Sequence, residues 1–466
     1  MIRCTLLLAA AAAAASVQPI NLEWRSIGPA MFGGRVADIA GVPGNPRIIY
    51  IGHSSAGLYK STNGGTTFDS VFNDGGTLSV GAVALEPGDP NVVYLGTGEG
   101  KPRNSISYGD GVYKSTDGGK TWKHSGLKNS ERFSRIVAVS RTHVLAAVMG
   151  RAFGPSSERG VYRSTDGGAT WTRTLFANDT TGASDLAVDP QDPNIVYAGM
   201  YDYQRRPWHF RSGGPGSGLY RSADGGVTWS RISNGLPAGV VGRIGLAIAR
   251  SNPKVVYALV ESREGVLWRS TDRGLSFTLV SRDNRINRRP FYFSQVRVDP
   301  ADENRIYCLS GDLMISDDAG KTFTSVGYSS FFGDHHTLWI DPQDRDRLLG
   351  GSDGGFYLSN DRGKNWDFVN NMPMAQPYHV GIDMAEPYNV LGGFQDHELW
   401  RGPNEKWNEV GVREGDWKRM RNMADGMYTV PDPRDPNIVY YNGHFGDITR
   451  IDMRSGEEVR GEGVRG

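Results

Sequence analysis

An all-β protein built from one repeated unit is what this sequence predicts, and three observations carry the expectation. Glycine accounts for 62 of 466 residues, close to twice the usual ~7%. It follows no collagen-like period, so the chain needs many tight turns in which φ is positive. A short segment, Ser115-Thr116-Asp117-Gly118-Gly119-Lys120-Thr121-Trp122, recurs along the chain. Its copies lie 43 to 58 residues apart, a span that fits one four-stranded blade of a β-propeller.

The elements follow in chain order. Met1-Ile2-Arg3-Cys4, an apolar run from Leu6 to Ala15 and Ser16-Val17-Gln18-Pro19 read as a signal peptide over residues 1–16, hence a secreted or periplasmic protein. The run is too short to span a ~30 Å bilayer core, and Cys4 precedes it, which argues against a lipoprotein anchor. The mature chain then keeps Cys308 alone, read as a buried strand residue that cannot form an internal disulfide.

The propeller is expected over residues 22–372. Boxes begin at Ser61, Ser115, Ser164, Ser222, Ser270, Ser316 and Ser359, and their third positions are Asn63, Asp117, Asp166, Asp224, Asp272, Asp318 and Asp361. The Asx side chain accepts backbone N–H groups in a tight turn, glycine supplies positive φ, and the closing Trp or Phe buries an apolar face. These residues are therefore structural. A second element precedes each box, as in Asp189-Pro190 with Asn194-Ile195-Val196-Tyr197 and Asp299-Pro300 with Arg305-Ile306-Tyr307: two strands flanking a proline turn. Each unit thus reads A strand, proline turn, B strand, variable loop, C strand, box, D strand. Inner A strands are expected near Val36, Val80, Ile136, Leu186, Ile244, Gln295, Thr337, Val380 and Tyr428. That makes nine starts for seven boxes. Residues 373–466 hold the two box-free units and are expected to begin a second, incomplete propeller, the alternative being one ring of eight to ten blades.

The boxes resemble the Asp-box (BNR) repeat of sialidases, xyloglucanases, sortilin-type domains and photosystem assembly factors. Trp24-Arg25-Ser26-Ile27-Gly28-Pro29, Gly96-Thr97-Gly98-Glu99, Gly214-Pro215-Gly216-Ser217-Gly218-Leu219-Tyr220, Asp334-His335-His336-Thr337-Leu338-Trp339 and Gly393-Phe394-Gln395-Asp396 further resemble exported bacterial proteins described as glycosyl-hydrolase-like or sortilin-like. The resemblance implies a propeller fold, and a second propeller beyond the first. It implies no single activity. Where xyloglucanases carry an acid in the first blade, this chain has Ser54 in Gly52-His53-Ser54-Ser55-Ala56-Gly57; the similar Gly351-Ser352-Asp353-Gly354-Gly355 lies in another blade.

In this topology the B–C and D–A loops share one face, where function is expected to collect. Long B–C loops run from Glu99 to Asp110, Gly150 to Gly160 and Tyr201 to Gly218. The last brings Tyr203, Arg205, Arg206 and Trp208 together, and a D–A loop adds Arg288, Arg289 and Tyr292, with His336 at the channel mouth. Such a mixture of rings and guanidinium groups suits a glycan or an extended peptide. For glycoside hydrolysis, two carboxylates must face each other across a cleft; Glu99, Asp334, Asp353, Asp396 and Asp425 fall near the loop-face ends of inner strands. His335 and His336 point to opposite faces of a strand and cannot chelate one ion together. Asp334 and His336 share a face, though His336 reads better as a packed histidine bonded to a carboxylate. Neither metal nor cofactor is expected.

Lys+Arg and Asp+Glu balance at 51 each, which argues against an electrostatic nucleic-acid binder. No later segment is apolar enough to cross a bilayer, and a monomer is expected. The leading expectation is an exported binding propeller for a glycan or peptide, without catalysis. The alternatives are a xyloglucanase-like glycoside hydrolase and an assembly scaffold for envelope proteins. A close pair of accessible carboxylates on the loop face would favour the enzyme; a broad apolar patch there would favour the scaffold.

Overall fold

Each box turns the chain through the hydrogen bonds its residue types dictate. In the computed structural model, which describes residues 27, 33–421 and 425–461, Ser115 Oγ donates to Asp117 Oδ1 (2.8 Å) and accepts from Gly119 N (2.8 Å). Thr121 N donates to Asp117 Oδ1 at 2.9 Å. Gly118 and Gly119 sit at φ +74° and +92°, where most side chains are strained. The Ser–Asx bond recurs at Asn63, Asp166, Asp224, Asp272, Asp318 and Asp361.

The box also ties neighbouring units together. Trp122 Nε1 donates to Val71 O of the preceding unit (2.6 Å), and Trp171 Nε1 to Ser125 O (2.7 Å). From the other side, a tyrosine of the second strand reaches the next box: Tyr50 Oη donates to Gly118 O (3.2 Å) and Tyr94 Oη to Gly167 O (3.1 Å). Buried hydroxyls thereby find partners, and these two seams are pinned from both sheets.

The described residues form nine antiparallel sheets, eight of four strands and one, the fourth, of five. The inner strands of the first seven are Val36–Val42, Val80–Glu86, Phe133–Ala138, Thr181–Val188, Ile244–Ile248, Gln295–Asp299 and His335–Ile340. Each packs on the next, and His335–Ile340 packs back on Val36–Val42. Apolar clusters fill the seams; Tyr50, Leu58, Val80, Val83, Val93 and Leu95 form one between the first two sheets. Cys308 is a fully buried strand residue in another.

The eighth sheet (Pro377–Ile382, Asn389–Phe394, Leu399–Pro403, Lys418–Arg421) packs on the ninth (Thr429–Asp432, Asp435–Asn442, Ile448–Asp452, Glu458–Arg460). Its first strand exposes Val380 and Ile382, where the ring buries the equivalent faces.

Two expectations need correction. Several inner strands start earlier than the hydrophobic alternation suggests: the fourth begins at Thr181, not near Leu186. Its leading residues Thr181, Gly182 and Ser184 are small or polar yet buried, so they carry no apolar signal. The Tyr201–Gly218 segment is not an irregular loop. Val196–Arg206 continues into it and pairs with His209–Ser212, making a hairpin with Pro207 and Trp208 at its tip. The expected signal peptide, residues 1–16, lies outside the described residues. No helix among the described residues is long and apolar enough to cross a membrane.

Candidate functional site

The loop face gathers an ionic knot around Arg35, which follows Gly33-Gly34 at the start of the first inner strand. Its Nη1 meets Glu99 Oε2 and its Nε meets Asp353 Oδ1, both at 2.9 Å, and all three side chains are almost fully buried. Tyr292 Oη accepts from Arg35 Nε (2.9 Å) and Arg103 Nη1 (2.6 Å) and donates to Asp353 Oδ2 (2.6 Å). His336 Nε2 lies 2.8 Å from Asp353 Oδ1. An ionised carboxylate only accepts, so Nε2 carries the hydrogen.

The charges in the knot are mutually determined. Burial pushes the Asp353 carboxyl up, but Arg35 and His336 outweigh it and hold the pKa well below the ordinary value. Burial, with Lys101 next, holds His336 far below the usual imidazole value, so it is neutral. Lys101 itself is brought down to about 7, first by burial and against the pull of Glu99; its Nζ donates to His336 O at 3.3 Å. Asp353 accepts from three donors and is an anchor. His336 is the packed, carboxylate-bonded histidine expected of it.

A second group of carboxyls lies beside the knot. Asp353 N donates to Asp334 O at 3.2 Å, and Asp334 is pushed up to about 6 by burial and then by Asp353, with Arg289 opposing. From the eighth sheet, Asp396 is pushed up to about 8 by burial, Asp353 and Asp425 in that order. Asp425 Oδ1 accepts from Asp396 N and from Tyr378 Oη, both at 3.0 Å, and its Oδ2 lies 2.7 Å from His444 Nε2. His397 Nε2, 3.3 Å from Asp353 O, and its ring stacked on Phe332 at 5.6 Å join the eighth sheet to the ring. All five acids expected from the sequence thus converge. Tyr328, 58% exposed, and Tyr378 edge the group; the Tyr328 hydroxyl is pushed up by burial, then by Asp396 and Asp334 together.

Backbone strain collects here. Asp334, Asp396 and Arg289 have φ +59°, +60° and +49°, an uncommon region for residues other than glycine that persists where surroundings over-determine it.

The residues expected to bind ligand divide three ways. Tyr203 is buried, stacked on Tyr201 and covered by the Arg159 guanidinium at 4.3 Å; it props the hairpin and presents no ring to solvent. Tyr292 and His336 are likewise buried, within the knot. Arg206 and Trp208, the latter 78% exposed, project at the hairpin tip. Arg288 is exposed, Arg289 pairs with Asp334 at 3.1 Å, and Arg205 lies over Phe210 at 4.8 Å. Sequence reasoning missed Arg35, Lys101 and Arg103. Their signal was position alone: one opens an inner strand and two lie in the long Glu99–Asp110 loop. Among the described residues no cluster of three or more His, Cys, Asp or Glu has the geometry to hold a metal ion.

With this geometry established, comparison with known proteins adds kinship. The BNR/Asp-box repeat family matches residues 113–124 and 162–173. A xyloglucanase of Hypocrea jecorina is 35% identical over 108 residues, 22% of this chain and 12% of that protein. A Paenibacillus xyloglucanase is 26% identical over 282 residues, 55% of this chain and 22% of its own length. The chain therefore spans less than a quarter of these curated relatives. The crystal structure of an ancestral GH74 enzyme superposes with a TM-score of 0.63 at 18% identity, covering 92% of this chain and 62% of that one. The chain is a β-propeller of BNR/Asp-box repeats, related in sequence to xyloglucanases.

Proposed function

We propose that the loop face carries a glycoside-hydrolysing site, with Asp396 as the proton donor and Asp334 as its carboxylate partner. The observation that carries this reading is that Asp396 and Asp334 both face buried Asp353 and the exposed Tyr328, with the first carboxyl pushed up to about 8 and the second to about 6. Groups pushed apart in this way can divide acid and base roles at neutral pH. At pH 7 Asp396 holds its proton and can protonate the glycosidic oxygen as the bond to the anomeric carbon breaks. Asp334 is then mostly ionised and, as the base, takes a proton from a water whose oxygen forms the new bond to the anomeric carbon. Arg35 and Asp353 act as positioning residues, because every strong contact of Asp353 is internal to the knot. Tyr328 and Tyr378 offer rings on which a sugar can stack. The relatives named as xyloglucanases support a polysaccharide as substrate class.

Export through residues 1–16 fits a polysaccharide substrate and belongs to the same proposal. So does the division into a ring over residues 22–372 and a second unit over 373–466, which supplies Asp396 and Asp425. The uncovered apolar strand Pro377–Ile382 supports reading the eighth and ninth sheets as blades of a second propeller.

Reducing-sugar release from a panel of β-linked polysaccharides tests the enzyme reading. Asp396→Asn is expected to lower the rate by about 10²-fold or more. A second reading, binding without catalysis, draws on the exposed Trp208 and Arg206 at the hairpin tip. It predicts glycan binding by parent and Asp396→Asn alike, with no sugar released by either.

A further inference from the structure

A ladder of rings and guanidinium groups runs from the hairpin to the carboxyl group. Phe210 and Phe291 meet edge to face at 4.9 Å, Phe291 stacks toward Tyr292 at 6.4 Å, and Tyr292 lies 4.8 Å from Phe293. Along it, Arg205 covers Phe210 at 4.8 Å and Phe291 at 6.0 Å, Arg103 covers Tyr292 at 4.8 Å, and Arg289 covers the same ring at 4.9 Å. Buried Arg35 makes a third guanidinium around Tyr292, at 5.5 Å.

The cations along the ladder differ in their partners. Arg35 and Arg289 have carboxylate partners. Arg103 and Arg205 form no ion pair among the described residues, nor do the adjacent Arg206 and Arg288. Arg103 and Arg205 are half-buried and near enough to repel: burial first, with Arg103 contributing, holds the Arg205 pKa down. Among the described residues Arg103 stands close enough to Asp353, Asp334 and Asp396 to favour their charged forms, whereas Arg205 has no carboxylate within ion-pair distance. Fixed on rings, Arg103 and Arg205 lose little freedom on gripping a planar anion, and guanidinium matches a carboxylate in two parallel hydrogen bonds.

We infer that Arg103 and Arg205 form a subsite for the carboxylate of an acidic sugar, so that the substrate is a uronate-bearing polysaccharide bound with its anionic residue on the ladder and its glycosidic bond toward Asp396. The inference rests on the hydrolytic reading for the direction of the bound chain. The subsite itself needs only the arginines and the rings.

The test uses Asp396→Asn, to hold substrates unhydrolysed, and three probes: polygalacturonate, glucuronoxylan and alginate. Each is compared with its own carboxyl-reduced form by affinity electrophoresis and calorimetry, at low and at high salt. At least one acidic probe is expected to bind about tenfold or more tightly than its reduced counterpart, as a charged hydrogen-bonded contact implies. The preference should shrink with salt, fall to near unity in Arg103→Gln/Arg205→Gln, and return in Arg205→Lys set against Arg205→Gln. Unchanged melting temperatures in the arginine variants keep the comparison free of misfolding. Equal binding of every acidic probe and its reduced form overturns the subsite. If the parent still hydrolyses the reduced forms, the hydrolytic reading stands while the subsite falls. If the charge preference appears and the parent releases no sugar from any probe, the subsite stands and the hydrolytic reading falls.

Discussion

Asp396 shows how much of the chemistry lies in one residue's surroundings. Its carboxyl is crowded by burial, Asp353 and Asp425, and pushed up to about 8. The sign of the stability effect follows. Below about pH 4 folded and unfolded forms are both protonated and nothing is lost. As pH rises the unfolded chain ionises first, so the fold loses stability until the folded carboxyl also ionises near pH 8. Replacing Asp396 with Asn should remove that share of the slope, leaving the variant more stable than the parent above pH 8, by calorimetric melting across pH 4–9. Arg35 is the opposite case. Arg35→Met strands Glu99 and Asp353 without their counter-charge, and urea unfolding should show a loss of about 3–5 kcal/mol. The five acids were legible because inner-strand ends repeat in register with the boxes. Arg35 was not, since an arginine after two glycines has no pattern until Glu99 and Asp353 come to it from other sheets.

Within a single unit, the box is a turn device and a seam staple together. Ser115→Ala removes an acceptor for Asp117 N and Gly119 N, both in a turn that has no other use for them. Chemical denaturation should register a loss of about 1–2 kcal/mol, with glycan binding and hydrolysis unchanged. Seven boxes could be read directly because their Ser, Asx, Gly and aromatic positions each have one physical job. The hairpin at Val196–Arg206 and His209–Ser212 could not. Its charged and aromatic residues alternate without an apolar face of the usual kind, so the segment read as an open loop. The same misreading placed Tyr203 at the surface; on a strand its alternation turns it inward, onto Tyr201, while Trp208 at the turn stays exposed. Trp208→Ala is therefore expected to leave the melting temperature within a degree or so of the parent, the surface change being small.

Across the whole molecule, the proposed site depends on the first seven sheets meeting the eighth. The ring contributes Glu99, Asp334 and Asp353; the eighth sheet and the segment after it contribute Asp396 and Asp425, joined through His397 on Phe332 and Gln376 on Arg35 and Ser54. The carboxyl environments differ because each group sees both sets of strands. The pH dependence of hydrolysis reads this arrangement most directly. On a cleaved polysaccharide, kcat/KM should follow a bell with limbs near about 6 and about 8, set by Asp334 and Asp396 in the free enzyme. Asp396→Asn should abolish the alkaline limb with most of the rate. An Asp396→Asn variant that retains the parent's rate and both limbs would contradict the account.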